Sequence, residues 1–148
     1  FGFYDNVARA RAEGVELELG ARMSERFRAQ AVYSYLKARN RTAGDANEGN
    51  DLARRPRHAV TVSADWTPPL ADLALGGDIR LVGNRFDNAA NTSRLDGYAL
   101  VTLRASLPVN ERLELYGRVE NLTDIAYRTI AGYGTPGRAA YLGARARF

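Results

Sequence analysis

The sequence predicts an all-β protein: seven antiparallel strands forming the C-terminal part of a larger transmembrane β-barrel. Three observations carry that expectation. Apolar residues recur at every second position in seven separate stretches, which puts them on one face of a strand. The connections alternate short and long, as in barrels with short periplasmic turns and long extracellular loops. The last stretch, Arg138–Phe148, alternates Ala140, Leu142, Ala144 and Ala146 with Tyr141, Gly143, Arg145 and Arg147, and stops on an aromatic. That ending suits a final barrel strand whose Phe148 joins an interfacial girdle.

The first strand is expected from about Val7 to Arg22. Val15, Leu17, Leu19 and Ala21 alternate with Glu16, Glu18 and Gly20, but Ala8, Ala10 and Ala12 stand on the opposite parity. The phase changes at Glu13-Gly14, either through a glycine bulge or because the upper half stands beyond the membrane. A short turn leads to the second strand, Phe27–Arg39, with Phe27, Ala29, Ala31, Tyr33 and Tyr35 in phase. The long polar loop 40–57 follows. The third strand, His58–Thr67, ends at Pro68-Pro69, since proline cannot donate to a ladder. The fourth runs from about Leu73 to Phe86, and a second polar loop spans Asp87–Gly97. The fifth, Tyr98–Leu107, turns at Pro108–Glu111 into the sixth, Arg112–Asn121. A last loop, Leu122–Gly137, leads to the seventh.

Bacterial single-chain barrels have even strand numbers, and seven strands alone leave two long edges that hydrocarbon does not tolerate. The chain therefore reads as part of a larger barrel, and its opening Phe1-Gly-Phe-Tyr4, without an initiator Met, reads as a cut through a longer protein. Other readings are open at this point: a passive porin or adhesin barrel, and a soluble β-sandwich binding module.

Composition narrows the chemistry. There is no cysteine, which excludes disulfides and thiolate metal sites. His58 is the sole histidine, so neither an imidazole metal cluster nor a catalytic triad has its parts; it reads as a structural or interfacial residue. No enzyme and no cofactor are expected. Of 21 basic residues 20 are arginine, scattered along the chain without forming a stripe, so nucleic acid is not an expected partner. No run approaches the ~20 apolar residues of a membrane helix.

Three segments resemble the TonB-dependent outer-membrane receptors. They are Ala10–Glu18, ending in a Gly-Val-Glu-Leu-Glu run; Leu52-Ala-Arg-Arg-Pro-Arg-His58, leading to Asp65-Trp66; and Asn121-Leu-Thr-Asp124 followed by Tyr127, Gly132–Arg138 and the terminal strand. The last is similar to the family's Asn-Leu-Phe-Asp…Tyr…Gly-Arg ending, with Thr123 where an aromatic is common. The resemblance covers essentially the whole chain. Its nearest likeness is to the cobalamin transporter branch, although siderophore receptors share much of it. It implies a 22-stranded barrel in the bacterial outer membrane, bedded in lipid and lipopolysaccharide and inserted by the outer-membrane assembly machinery. It also implies an N-terminal plug and a TonB-type inner-membrane energy coupler; neither plug nor TonB box is expected in this chain. The implied activity is energy-coupled uptake of a bulky scarce nutrient, cobalamin-like or a ferric siderophore.

The candidate ligand contacts lie at the expected extracellular mouth. In the basic cluster Arg54-Arg55-Pro56-Arg57, guanidinium groups suit carboxylate, phosphate or amide oxygens. The family resemblance points to Arg54, whereas strand parity extended backward turns Arg55 inward. Tyr127 and Tyr133 are candidates to line the mouth or join the outer girdle. The loop holding Asp87, Asn88 and Asn91 carries too few carboxylates for a calcium site, and Ala90 stands where the cobalamin branch has an aromatic contact. Asn121, Asp124, Gly137, Arg138 and Phe148 form the C-terminal signature, with Asn121 and Asp124 expected to turn the end of strand six. Glu16, Glu18, Asp78, Arg80, Arg104, Glu114, Arg118, Glu120, Arg145 and Arg147 are expected to face the lumen, there to hydrate it or to bond the plug.

Overall fold

The computed structural model describes residues 9–70 and 72–148. Its strands are β1 (Ala10–Arg22), β2 (Phe27–Asn40), β3 (His58–Trp66), β4 (Ala74–Val82), β5 (Arg85–Phe86), β6 (Arg94–Leu95), β7 (Tyr98–Asn110), β8 (Leu113–Glu120) and β9 (Ala139–Ala146). Seven form one antiparallel sheet in the order β1-β2-β3-β4-β7-β8-β9, while β5 and β6 make a small ribbon of their own. Val7 and Ala8, expected in the first strand, and Phe1–Tyr4 lie outside the described residues.

Antiparallel partners share a face, so the register carries one polarity across the whole sheet. On one side Leu19 pairs Ala31, Ala31 pairs Val62, Val62 pairs Ile79, and Ile79 pairs Val101. Leu103 then pairs Val119, Leu115 pairs Ala144, and Gly117 pairs Leu142. A slip of one residue at any pairing would turn a strand's apolar set to the other face. Phe27 and Trp66 are register partners at the short-turn end of this face. Tyr35 and His58 pair at its other end, where the Tyr33 hydroxyl and His58 Nδ1 share a 2.9 Å hydrogen bond. Eight residue steps separate Phe27 from Tyr35, about 26 Å along the strand at ~3.3 Å each. Tilted by ~40°, that stretch rises about 20 Å along the barrel axis, and the aromatic residues at its two ends bound a lipid-facing band on the order of 25 Å tall.

Among the described residues no second layer covers the sheet. Among the described residues the buried apolar side chains are Ala38, Val82 and Leu95 alone, while Val15, Leu17, Leu19, Val62, Ile79, Leu103 and Leu142 are exposed. A sandwich packs the inner faces of two sheets against each other. This chain has one large sheet with a bare apolar face, so the soluble-sandwich reading fails. Hydrocarbon is the solvent such a face requires.

The opposite face is polar and cross-linked. Arg28 Nε donates to Asp65 at 3.2 Å, Arg104 Nη2 donates to the same carboxylate at 2.7 Å, and Arg104 Nη1 pairs with Asp78. Arg104 lies opposite Gly76 and reaches across it to Asp65 one strand further on; a Cβ on Gly76 would meet the guanidinium at 2.5 Å. Gln30 donates to Glu18 at 2.7 Å and Arg145 to Glu114 at 2.9 Å. The Tyr116 ring covers Gly143, and Arg118 stands 4.6 Å over Tyr141. Glycine is used where a neighbour's long side chain needs the room.

One of two alternatives falls, and two expectations need correction. No bulge exists at Gly14, because β1 and β2 stay in unbroken register from Ala10↔Asn40 to Arg22↔Arg28. The charged residues Arg11, Glu13, Lys37 and Arg39 occupy the apolar parity there, so the strands have left the apolar band and the phase is free. The turn expected at Pro108–Glu111 is tighter: β7 continues to Asn110 with a register shift after Pro108, and Asn110 Oδ1 accepts from the amides of Arg112 and Leu113. β4 pairs with β7 no further than Ser106, so proline interrupts no ladder on that side. The fourth strand stops at Val82, short of Phe86, and the loop after it contains the β5–β6 ribbon.

Val62 lies midway between His58 and Trp66 on the apolar face. In the full-length barrel, Val62→Arg is expected to destabilise the fold in liposomes by ~2–4 kcal/mol, and Thr61→Arg much less; urea titration measures both. A Cβ at Gly143 would lie 2.5 Å from the Tyr116 ring. Gly143→Val should therefore cost about 1–3 kcal/mol, and Tyr116→Ala in the same chain should recover most of it, a coupling that a double-mutant cycle reads directly.

Candidate functional site at the loop end of the sheet

Among the described residues, the six that are buried are Ala38, Asn40, Val82, Arg85, Leu95 and Asn121, and all lie at the long-loop end. Ala38, Asn40 and Val82 have polar-face parity, so the loops fold over that face. The three loops are 41–57, 83–97 and 121–138.

Asp51 joins the first two. Its carboxylate accepts two hydrogen bonds from Arg57, each 3.0 Å, and pairs with Arg39 Nε at 3.5 Å. This bidentate contact holds the Arg57 guanidinium above its already high ordinary pKa. The Asp51 backbone is gripped by one side chain: its amide donates to Asn91 Oδ1 and its carbonyl accepts from Asn91 Nδ2, both at 2.9 Å. Asn91 has φ 56°, a left-handed conformation that asparagine tolerates. Asn50 adds a 3.1 Å bond to the Ala89 carbonyl, and the Arg54 amide donates to the Phe86 carbonyl at 2.6 Å.

Arg54 and Arg55 part company. Arg54, with φ 61°, is bonded to Asp87 at 2.8 Å. Arg55 is exposed and lines a concavity of about 320 Å³ with Asp51, Arg57, Asn84, Arg85, Phe86 and Arg94. Neighbouring Arg85 ties the second loop to the third: it is only 7% exposed, donates to the Arg128 carbonyl at 2.6 Å and lies 5.3 Å over the Tyr98 ring. Tyr127 packs on Tyr98 at 4.7 Å and lines a second concavity beside Arg94, Leu95 and Arg128. Tyr133 projects from the third loop, 70% exposed.

Asn121, Asp124, Gly137 and Arg138 meet at the base of that loop. Asn121, at φ 48°, donates to the Ile125 carbonyl at 3.0 Å and accepts from the Ile125 amide at 3.1 Å. Asp124, at φ 54°, accepts from the Arg138 amide at 2.8 Å and pairs with its guanidinium at 3.6 Å. A Cβ on Gly137 would come within 2.9 Å of the Asp124 carboxylate. These residues fasten the end of β8 to the start of β9. Phe148 lies beyond the last strand residue, on the apolar parity and fully exposed. The Asn91 clasp and the Arg85–Tyr98–Tyr127 stack escaped the sequence reading; the isolated Asn91 and the Arg85-Phe86 pair, between turn residues, were their only trace.

A single sheet, apolar outside and polar inside, with its loops gathered at one end, defines the wall of a transmembrane β-barrel. The TonB dependent receptor-like β-barrel family profile matches residues 2–122. The chain belongs to that family, whose barrels sit in the outer membrane, and is a segment of such a barrel. It is 31% identical over 143 residues to the vitamin B12 transporter BtuB of Photobacterium profundum, covering 97% of this chain and 22% of that protein. Solved structures share the fold. The ferric preacinetobactin receptor BauA of Acinetobacter baumannii superposes with a TM-score of 0.81 at 23% identity, covering 91% of this chain and 22% of that one. The siderophore receptor PiuA of the same organism gives 0.77 at 24%, covering 91% and 21%. The chain thus spans about a fifth of the length of the proteins it matches.

Asn91→Gly keeps the left-handed backbone and removes the clasp. It is expected to loosen the first two loops by on the order of 1 kcal/mol, seen as faster hydrogen exchange at the Asp51 amide with exchange in β3 unchanged.

Proposed function

We propose that this chain is the C-terminal wall of a receptor that takes up a bulky, scarce nutrient across the outer membrane, with energy delivered through an N-terminal plug by a TonB-type inner-membrane coupler. The observation that carries the reading is the polar inner face of a sheet belonging to this receptor family. Its ion pairs Arg28–Asp65–Arg104–Asp78 and Glu114–Arg145 offer charged and hydrogen-bonding groups to a plug seated in the lumen. The loops above it are fastened to one another into a preformed mouth, where Arg55, Tyr127 and Tyr133 have side chains toward concavities or solvent. Arg54 is a weaker candidate, since Asp87 occupies its Nε. The 31% identity to a vitamin B12 transporter makes a cobalamin-like molecule the first cargo to test and a ferric siderophore the second.

The test uses the full-length receptor in a strain lacking its own cobalamin and siderophore receptors. Uptake of labelled cobalamin is expected to depend on the receptor and to fall to the receptor-less background when the coupler is deleted. Uptake that survives that deletion would instead identify a passive barrel. Coupler-dependent uptake of a ferric siderophore without cobalamin would retain the mechanism and replace the cargo.

A further inference from the structure

The geometry points to an oxyanion-binding site between the first two long loops, built by Arg55, Arg57, Arg85 and Arg94. These four arginines line a concavity of about 320 Å³ with a single acidic residue, Asp51. Asp51 is already committed to Arg57 and Arg39. Arg94 has only a loose 3.9 Å contact with the highly exposed Asp96. Arg55 makes no ion pair among the described residues.

Arg85 sharpens the case. It is only 7% exposed, yet no carboxylate among the described residues lies within ion-pair distance of it. Its compensation is the Arg128 carbonyl and the Tyr98 ring, and its Nη1 has no hydrogen-bond partner among the described residues. Buried charges are normally paired, because desolvation without a counter-charge is costly. Here a buried cation borders a concavity that Arg55, Arg57 and Arg94 also line. A carboxylate or phosphate bound against Arg55, Arg57 and Arg94 supplies the missing counter-charge, and the planar guanidinium fork matches both groups in bidentate geometry. The Asn91 clasp and the Arg54–Asp87 pair hold the two loops in position before the anion arrives, so little ordering remains to oppose binding.

Two sources offer this chemistry: the anionic group of a diffusible cargo, and the phosphates of surrounding lipopolysaccharide. The site's location rests on the loop geometry; only its use in uptake rests on the receptor reading.

Full-length receptor in nonionic detergent is titrated calorimetrically at low ionic strength with pyrophosphate, with tricarballylate, and with lipid A in mixed micelles. Saturable binding of at least one is expected. The double variant R55A/R94A, which touches exposed side chains only, should weaken it about tenfold or more, the loss of charge-assisted hydrogen bonds, with unchanged thermal unfolding. Arg41→Ala, a loop arginine outside the concavity, should leave affinity unaltered. Preference for the soluble anions assigns the site to cargo, and preference for lipid A assigns it to the lipid headgroup. No saturable binding of any probe, or equal weakening by Arg41→Ala and R55A/R94A, overturns the proposal. Coupler-dependent uptake of a neutral cargo would continue in that event, so the two readings fail separately.

Discussion

The constraint on which the rest depends is that strand backbones in hydrocarbon must satisfy one another. Lipid offers no water to an unpaired N–H or C=O, so a spanning sheet hydrogen-bonds every strand to its neighbours. Continuous pairing transmits parity: once one strand turns its apolar set outward, each antiparallel neighbour in register does the same. The row Leu19, Ala31, Val62, Ile79, Val101 is that transmission made visible. The same constraint explains why a chain of this length needs only three buried apolar side chains among its described residues. The lipid replaces the second layer that a water-soluble sheet would need.

Freedom returns where the hydrocarbon ends. Above Tyr35 and His58 the outward positions of β1 and β2 carry Arg11, Glu13, Lys37 and Arg39, which would be costly in lipid. The strands still pair there, so the sheet rises beyond the membrane and supports the loops. Those loops are held by side chains that imitate backbone. Asn91 pairs with Asp51 through both amide groups, as a strand neighbour would, and Asn121 does the same with Ile125. The mouth is thereby shaped by the protein itself, and its arginines are divided between structural ion pairs and one basic concavity.

The wall was legible in the sequence because its code has a period of two and repeats seven times; strand positions, face polarity and the short-long alternation all follow from it. The ambiguity and the error fall where another rule takes over. At Glu13-Gly14 the phase change admitted either a bulge or a rise beyond the membrane, and the unbroken register leaves the second. Pro108 suggested a turn, yet the edge it faces has no ladder to break. The loop contacts were illegible for a different reason. The Asp51–Asn91 grip joins residues forty positions apart, and neither residue type announces a partner. Arg55 and Arg54 could not be ranked from parity across Pro56, because Arg54 adopts a left-handed backbone that resets the direction of both side chains.

The most direct measurement of the central claim is the accessibility of single cysteines along β3 in the full-length receptor reconstituted in a bilayer, each carrying a nitroxide label. Labels at positions 60, 62 and 64 should be relaxed by lipid-dissolved oxygen, and labels at 61, 63 and 65 by a water-soluble nickel complex, with a strict alternation between them. Uniform exposure to the aqueous reagent, or a period near 3.6, would contradict a strand with one face in lipid and the other in the lumen.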